Sequence, residues 1–127
     1  MQACTVMIST KADGTASEIV REGRVELLPR SAKIVYFEEN ATVSVSLCGE
    51  KATIVREGDY QLSLFLENGK KTKGEIGIAG NSGEIWTQTH SIESKITEDY
   101  VVACLQYDLL VSGESQKMEL RLLVKRK

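Results

Sequence analysis

Apolar and polar residues alternate with a period of two along most of this chain, and this alternation restricts the fold more than any other feature. Successive side chains of a β-strand point to opposite faces, so the pattern predicts strands that bury one face. The longest example places six side chains on one face: Val101, Ala103, Leu105, Tyr107, Leu109 and Val111. The same alternation over 41–47, 60–66 and 118–124 predicts further half-buried strands.

Short turn signals separate the alternating segments. The Asn68-Gly69 pair predicts a tight hairpin turn, because both residues adopt positive φ angles readily. We predict ten strands, near residues 3–10, 16–28, 32–38, 41–47, 51–56, 60–67, 74–79, 84–92, 100–111 and 116–125.

The segment 94–111 is compatible with two structures. Thr97-Glu98-Asp99 is typical of a helix start, and apolar residues follow it at intervals of four. The sustained alternation over the same residues favours a strand.

The connections between the predicted strands are short, which favours antiparallel pairing of sequential strands. We therefore predict an all-β fold, a closed antiparallel meander β-barrel of 8–10 strands formed by one domain over residues 1–127. Closure removes the unpaired sheet edges that promote aggregation. The interior of a barrel of about eight strands is either filled by side chains or holds one small ligand.

Composition excludes several classes of function. Sixteen basic and 18 acidic residues give a net charge of -2, so we expect no general attraction to nucleic acid or to an anionic membrane. No apolar run approaches the ~18 residues of a membrane span. A single histidine excludes a multi-histidine metal site, and no CxxC pair is present. We expect neither a metal nor a cofactor.

The cysteines and the N-terminus indicate a compartment. Cys4, Cys48 and Cys104 are widely spaced and odd in number. The first residues have neither the basic region nor the apolar segment of a secretion signal. We expect a cytoplasmic protein with three reduced, unreactive thiols.

The order of several short motifs resembles that of the YwiB-like family of bacterial proteins. The motifs are Ile19, Glu22-Gly23, Tyr36-Phe37-Glu38-Glu39, Arg56-Glu57-Gly58, Gly83 with Thr87 and Thr89, Leu105-Gln106-Tyr107-Asp108-Leu109 and Gly113. The resemblance extends from about Val6 to Val124 and departs at Ser82-Gly83, where an aromatic residue is expected before the glycine. It implies a calycin-type, lipocalin-like barrel in a bacterial cytoplasm, with no established activity and no catalytic residue to carry over.

Polar residues that fall in phase with apolar rows are the candidate ligand-binding residues. They are Arg21, Tyr36, Glu38, Arg56 and Tyr107. A charge that faces a barrel interior must be paired, hydrated or bound to a ligand, because unpaired burial costs several kcal/mol. We predict that these residues form the polar end of a site, in or at the mouth of the barrel, for a small apolar or anionic amphipathic molecule.

Three alternatives stay open. In the first, an Arg–Glu pair and a tyrosine hydroxyl plug one end of a packed barrel. In the second, the chain is a small hydrolase-type or isomerase-type enzyme that uses His90, which lies in phase with Trp86 and Ile92. In the third, it is an interaction module or homodimer that associates through four apolar residues of outward phase: Val20, Phe65, Leu110 and Leu123.

Overall fold

Ten antiparallel strands close into a single barrel. The computed structural model describes residues 1–127, and its strands are β1 (Gln2–Ala12), β2 (Thr15–Leu28), β3 (Ser31–Glu38), β4 (Ala41–Cys48), β5 (Lys51–Gly58), β6 (Tyr60–Glu67), β7 (Lys71–Ile78), β8 (Asn81–Ile96), β9 (Tyr100–Val111) and β10 (Glu114–Arg126). Each strand pairs with its neighbour in sequence, and β1 also pairs with β10. The predicted closed meander barrel is confirmed, with ten strands.

The segment after Thr97 is a strand, so its alternation indicated the structure correctly. The chain forms no helix with the length and apolar character of a membrane span.

One face of every strand except β7 contributes apolar side chains to a common core, and the one buried residue of β7 is Gly74. Twenty-three buried apolar or aromatic residues form one cluster, which fills the middle of the barrel. The fully buried aliphatic side chains include Ile34, Leu47, Leu105 and Leu122. Burial of one such side chain contributes roughly 1.5–3 kcal/mol, so the cluster supplies the main driving force for folding.

The two ends of the barrel differ in the elements that they carry. We call the end with the turns after β1, β3, β5, β7 and β9 the upper end; the chain termini and the other turns lie at the lower end. Three upper turns have consecutive positive φ angles, at Asp13-Gly14, Ala79-Gly80 and Ser112-Gly113. Two positive φ angles in a two-residue turn match the twist of the flanking strands. The Asn68-Gly69 turn differs from our prediction, because only Gly69 has a positive φ.

The strands fall into two arcs. The long arc consists of β8, β9, β10, β1 and β2, with 11 to 16 residues each. The short arc consists of β3 to β7, with 8 residues each. The arcs therefore enclose the core with walls of unequal height.

The seam between β6 and β7 is only partly paired. Tyr60–Ser63 pairs with Glu75–Ile78, and the ladder then ends. Below that point the hydroxyls of Thr72 and Thr87 lie 2.8 Å apart, and both bond to the carbonyl oxygen of Phe65. Side-chain hydroxyls therefore replace backbone hydrogen bonds along this part of the seam.

A β-bulge in β8 changes the phase of that strand. The register shifts between Thr89 and Ser91, so that Thr89 and Ile92 both face the core. His90 lies on the outer face and is exposed. The predicted common phase of His90 and Ile92 is therefore wrong, because the extra residue of a bulge reverses the alternation.

Candidate functional site

The structure brings the five predicted site residues together toward the upper end of the barrel. Tyr36 and Glu38 end β3, while Arg56 lies close to the end of β5. Both Tyr36 and Arg56 are register partners of Val43, so their side chains lie in one row on the inner face. Arg21 on β2 and Tyr107 on β9 approach from the long arc.

Gly23 makes room for this arrangement. It pairs with Tyr36 across the β2–β3 ladder. A Cβ atom at Gly23 would lie 2.4 Å from the carbonyl oxygen of Val35 and 3.2 Å from the Cβ of Tyr36. Only glycine fits without displacing a strand, so the position of the Tyr36 ring depends on it.

Arg56 is fully engaged by neighbouring groups. Its Nη2 lies 2.7 Å from Asp59 Oδ1, its Nε lies 3.8 Å from Glu38 Oε1, and its guanidinium carbon is 3.8 Å from the Tyr60 ring centroid. The bond to Arg56 also lowers the pKa of Asp59. This is the Arg–Glu pairing of the plug alternative, and it leaves Arg56 little free charge for a ligand.

Arg21 differs from Arg56 in its partners. Its guanidinium donates a 3.0 Å hydrogen bond to the backbone oxygen of Val20. No carboxylate lies within ion-pair distance of it. Arg21 is therefore the cation of the predicted set whose charge is available to an anion.

Tyr36 and Tyr107 are the buried members of the set, with relative exposures of 7% and 5%. Burial raises the pKa of both phenols to about 12. For Tyr36, the Glu38 carboxylate adds to this rise, whereas Arg21 and Arg56 oppose it. Both phenols are therefore protonated at neutral pH and able to donate hydrogen bonds.

Three hydroxyl groups in this region have no hydrogen-bond partner in the protein. Two are the phenols of Tyr36 and Tyr107. The third is Thr89 Oγ1, which is completely buried and unpaired. Thr89 is the register partner of Tyr107, so an unsatisfied hydroxyl lies beside a second one. Thr89 was not among the predicted site residues, although its phase with Ile85 indicated an inward position.

Apolar side chains surround these polar groups. Several partly buried residues pack against the core near the upper end: Ile19, Leu62, Leu109, Val111 and Met118. An apolar rim around unpaired hydroxyls and a free guanidinium is suited to a molecule with one polar and one apolar part.

His90 does not belong to this group. On the outer face, its Nε2 lies 2.9 Å from Asp108 Oδ2, beside a surface depression of about 440 Å³ that Lys11 and Lys117 also line. The nearby Ser91 hydroxyl donates to Gln106 at 3.2 Å rather than to His90. A nucleophile, a histidine and a carboxylate are therefore not assembled into a relay.

The structure also places the thiols and the acidic side chains. Cys4 is buried, Cys104 is half-buried, Cys48 is exposed, and all three are free. Burial raises the pKa of Cys4 and Cys104, and nearby carboxylates add to the effect, so these two thiols are poor nucleophiles at neutral pH. No group of three or more His, Cys, Asp or Glu side chains is arranged to hold a metal ion.

Comparison with known proteins identifies the family. The family model described as "Domain of unknown function (DUF1934)" matches residues 2–122. The crystal structure of ywiB protein from Bacillus subtilis is similar to this chain with a TM-score of 0.87 at 17% sequence identity, over 99% of this chain and 92% of that chain. No curated protein matches this chain. The chain belongs to the DUF1934 family, and the resemblance to YwiB-like proteins is confirmed.

Proposed function

We propose that this member of the DUF1934 family binds a small amphipathic anion at the upper end of its barrel. Three hydroxyls without a partner in the protein carry the proposal: Thr89 Oγ1, which is completely buried, and the phenols of Tyr36 and Tyr107, whose rings are buried. A buried hydroxyl without a partner costs about 1–3 kcal/mol, and this applies to Thr89 Oγ1. The two phenols beside it are the hydrogen-bond donors that a ligand at the mouth would meet.

The chemistry of the site defines the class of ligand. Protonated phenols donate hydrogen bonds, so the ligand presents acceptor oxygens such as those of a carboxylate or sulfonate. Arg21 supplies a positive charge without a competing carboxylate. The apolar part of the ligand lies against the rim residues. Among these, Met118 is the register partner of Tyr107, and Ile19 lies two residues before Arg21 on the same face of β2.

The position of the core limits the size of the ligand. The buried cluster fills the middle of the barrel, so the molecule lies at the mouth and is not enclosed by the strands. In this proposal Arg56 and Glu38 form one wall of the mouth. Their ion pair holds the two side chains in place and does not position the ligand.

The test is a titration with 1-anilinonaphthalene-8-sulfonate, an amphipathic anion that fluoresces when it leaves water, followed by displacement with decanoate. The test variants are Arg21→Gln, Tyr36→Phe and Tyr107→Phe. Each removes one charge or one hydroxyl and keeps most of the side-chain volume. We expect each to weaken binding of both probes about tenfold, the effect of losing one hydrogen bond to a charged group.

The matched controls are Arg24→Gln, on the outer face of the same strand as Arg21, and Tyr100→Phe, at the lower end of the same strand as Tyr107. Both should bind as the wild type does. Thermal unfolding of every variant separates a binding effect from a loss of fold. Equal affinity in the test and control variants, or no binding by the wild type, would contradict the proposal.

A further inference from the structure

An apolar row crosses the outside of the long arc. Val20, Met7, Leu123 and Val102 are successive register partners on β2, β1, β10 and β9. Val20 is 52% exposed and Val102 is 42% exposed, although both are large aliphatic residues. Met7, Val102 and Leu123 also line a shallow depression of about 490 Å³.

This row corrects one expectation from the sequence. Val20 and Leu123 do belong to one surface, joined by Met7. Phe65 lies on β6, on the opposite side of the ring of strands, and Leu110 lies at the upper end of β9 beside Trp86. The four outward apolar residues therefore do not form a single patch. The phase of a residue determines which face of its strand it lies on, but it does not determine where that strand lies around the barrel.

The charges beside the row are segregated by strand. On β2, Val20 lies between the outward residues Glu18 and Glu22. On β10, Leu123 lies between the outward residues Arg121 and Lys125. The strand between them, β1, presents only uncharged side chains beside Met7, namely Thr5 and Ser9.

We propose that two copies of this chain associate through this face, about a two-fold axis that is parallel to β1 and passes beside Met7. Such an axis places β2 of one copy over β10 of the other. Val20 then faces Leu123 of the second copy, and the two Met7 side chains meet on the axis. Glu18 faces Arg121 and Glu22 faces Lys125, so each apolar contact lies between ion pairs.

The charge pattern selects this axis over the other two-fold arrangement of the same faces. An axis perpendicular to the strands would place Glu18 against Glu22 of the second copy and Arg121 against Lys125. Like charges in contact oppose association. Beside Met7, the outer face of β1 carries no charge at Thr5 or Ser9, which avoids self-repulsion on the parallel axis, where each residue meets its own copy. Lys11, at the upper end of the same face, is the one charged residue of β1 that this axis places near its own copy.

Two of these charged groups also have partners within the chain. Arg121 pairs with Glu119 at 2.8 Å, and Glu22 pairs with Lys127. Arg121, Glu22 and Lys127 are well exposed, so these ion pairs contribute little and can be exchanged or shared at an interface.

The shape of the barrel limits the strength of the dimer. The convex wall offers a strip about three strands wide, with about 4.8 Å between strands. Such a strip is smaller than a standard interface of about 1,600 Å² in total. We expect a reversible dimer with a dissociation constant in the micromolar range, weakened by salt because ion pairs flank the contact. The dimer does not depend on the proposed ligand, since the row lies on the outer face.

The test uses sedimentation equilibrium of the full chain and two charge-reversed variants. One variant carries Glu18→Lys and Glu22→Lys, and the other carries Arg121→Glu and Lys125→Glu. Each alone places like charges against each other across the proposed axis, so its dissociation constant should rise at least about tenfold. A mixture of the two restores opposite charges at every contact, so it should form a heterodimer about as tight as the wild-type dimer.

Further variants separate the row from general surface hydrophobicity. Val20→Thr should weaken the dimer, whereas Phe65→Thr, at an equally exposed position on the opposite wall, should not. Circular dichroism confirms that each variant is folded. A wild type that stays monomeric at high concentration, reversed variants that dimerise as the wild type does, or a mixture that fails to associate would overturn the proposal.

Discussion

The long and short arcs of the barrel are held together in different ways. β9 and β10 pair without interruption, from Tyr100 with Lys125 to Val111 with Glu114. β6 and β7 pair over Tyr60–Ser63 only, and threonine hydroxyls bridge the remainder of that seam. The β9–β10 ladder is thus continuous, whereas the β6–β7 seam contains a stretch that side chains hold together.

This difference bears on the roles of the two arcs. Free energies of local opening follow the density of backbone hydrogen bonds and buried contacts, so we expect the β6–β7 seam to open before the long arc does. The proposed ligand site lies across the mouth, with Arg21, Thr89 and Tyr107 on the long arc and Tyr36 on the short arc. Small movements of the short arc would therefore change the width of the site.

The largest expected effect compares one core leucine from each arc. Leu105→Ala on β9 should lower the free energy of unfolding by about 3–5 kcal/mol, because the uninterrupted ladder to β10 and the pairing of Leu105 with Ile92 on β8 keep the wall from closing the cavity. Leu66→Ala on β6 should cost about 2–3 kcal/mol, since the adjacent seam allows some collapse. Urea unfolding of both variants measures the difference. Equal losses of unfolding free energy in the two variants would contradict the expectation that the long arc is more rigid than the β6–β7 seam.

A second prediction concerns the point where the seam stops pairing. A Cβ atom at Gly74 would lie 2.2 Å from the carbonyl oxygen of Ser63, so Gly74→Ala must push β6 and β7 apart. We expect a loss of about 2–3 kcal/mol in unfolding free energy. Gly77→Ala is the matched control on the same strand, because its Cβ would meet Gln61 Cβ at an ordinary 3.6 Å. If Gly74→Ala left the unfolding free energy unchanged, β6 and β7 would have room for a methyl group at this point, which would contradict the prediction.

Removal of a threonine hydroxyl from the β6–β7 seam should lower the unfolding free energy by a smaller amount. Thr87→Val keeps the shape of the side chain and removes the hydroxyl that bonds to Thr72 and to the Phe65 carbonyl. Loss of this buried bond should cost about 1–2 kcal/mol and speed amide hydrogen exchange in β7, with no change in β9. Thr53→Val, on the outer face of β5, is the control. Uniformly faster exchange in all strands would mean that the seam does not open independently.

The smallest predicted effect is a pH dependence that both arcs share. The folded-state pKa values of Tyr36 and Tyr107 are about 12, above the ordinary value of 10. The stability that each contributes is therefore complete below pH 10 and is lost as the pH rises toward 12. At pH 11 the loss is about 1 kcal/mol per tyrosine.

Unfolding measured between pH 9 and pH 11 should show this decline, and Tyr107→Phe should make it shallower. Phenolate absorbance supplies an independent check, since part of the tyrosine signal should appear only above pH 11. Complete titration of all tyrosines near pH 10 would show that the two phenols are not buried in solution.

The alternation predicted the fold because it is a local property that the barrel preserves nearly everywhere. It indicated all ten strands, including β9, where Thr97-Glu98-Asp99 was also compatible with a helix start. It failed at the bulge beside His90, because one additional residue reverses the phase and no local pattern marks the position. The alternation also could not predict the unpaired part of the β6–β7 seam, since register between strands depends on the whole barrel.

The site was only partly accessible to the same reasoning. Phase correctly indicated that Arg21, Tyr36 and Tyr107 share the inner face. It gave no means to distinguish Arg56, whose charge is satisfied by Asp59 and Glu38, from Arg21, whose charge is not. The orphaned hydroxyl of Thr89 follows from three-dimensional packing, and threonine is too common in strands for the sequence alone to single it out.

The pairing of β1 with β10 has a consequence for the order of events at the ribosome. One edge of Cys4–Ala12 pairs with β2, but the other edge pairs with Met118–Arg126, so the ring cannot close until the tenth strand has emerged. Until then a growing chain of nine strands exposes two free edges, at β1 and β9, to other nascent chains or to chaperones. Translation of β10 is therefore the step that converts an open sheet with unpaired edges into a closed barrel.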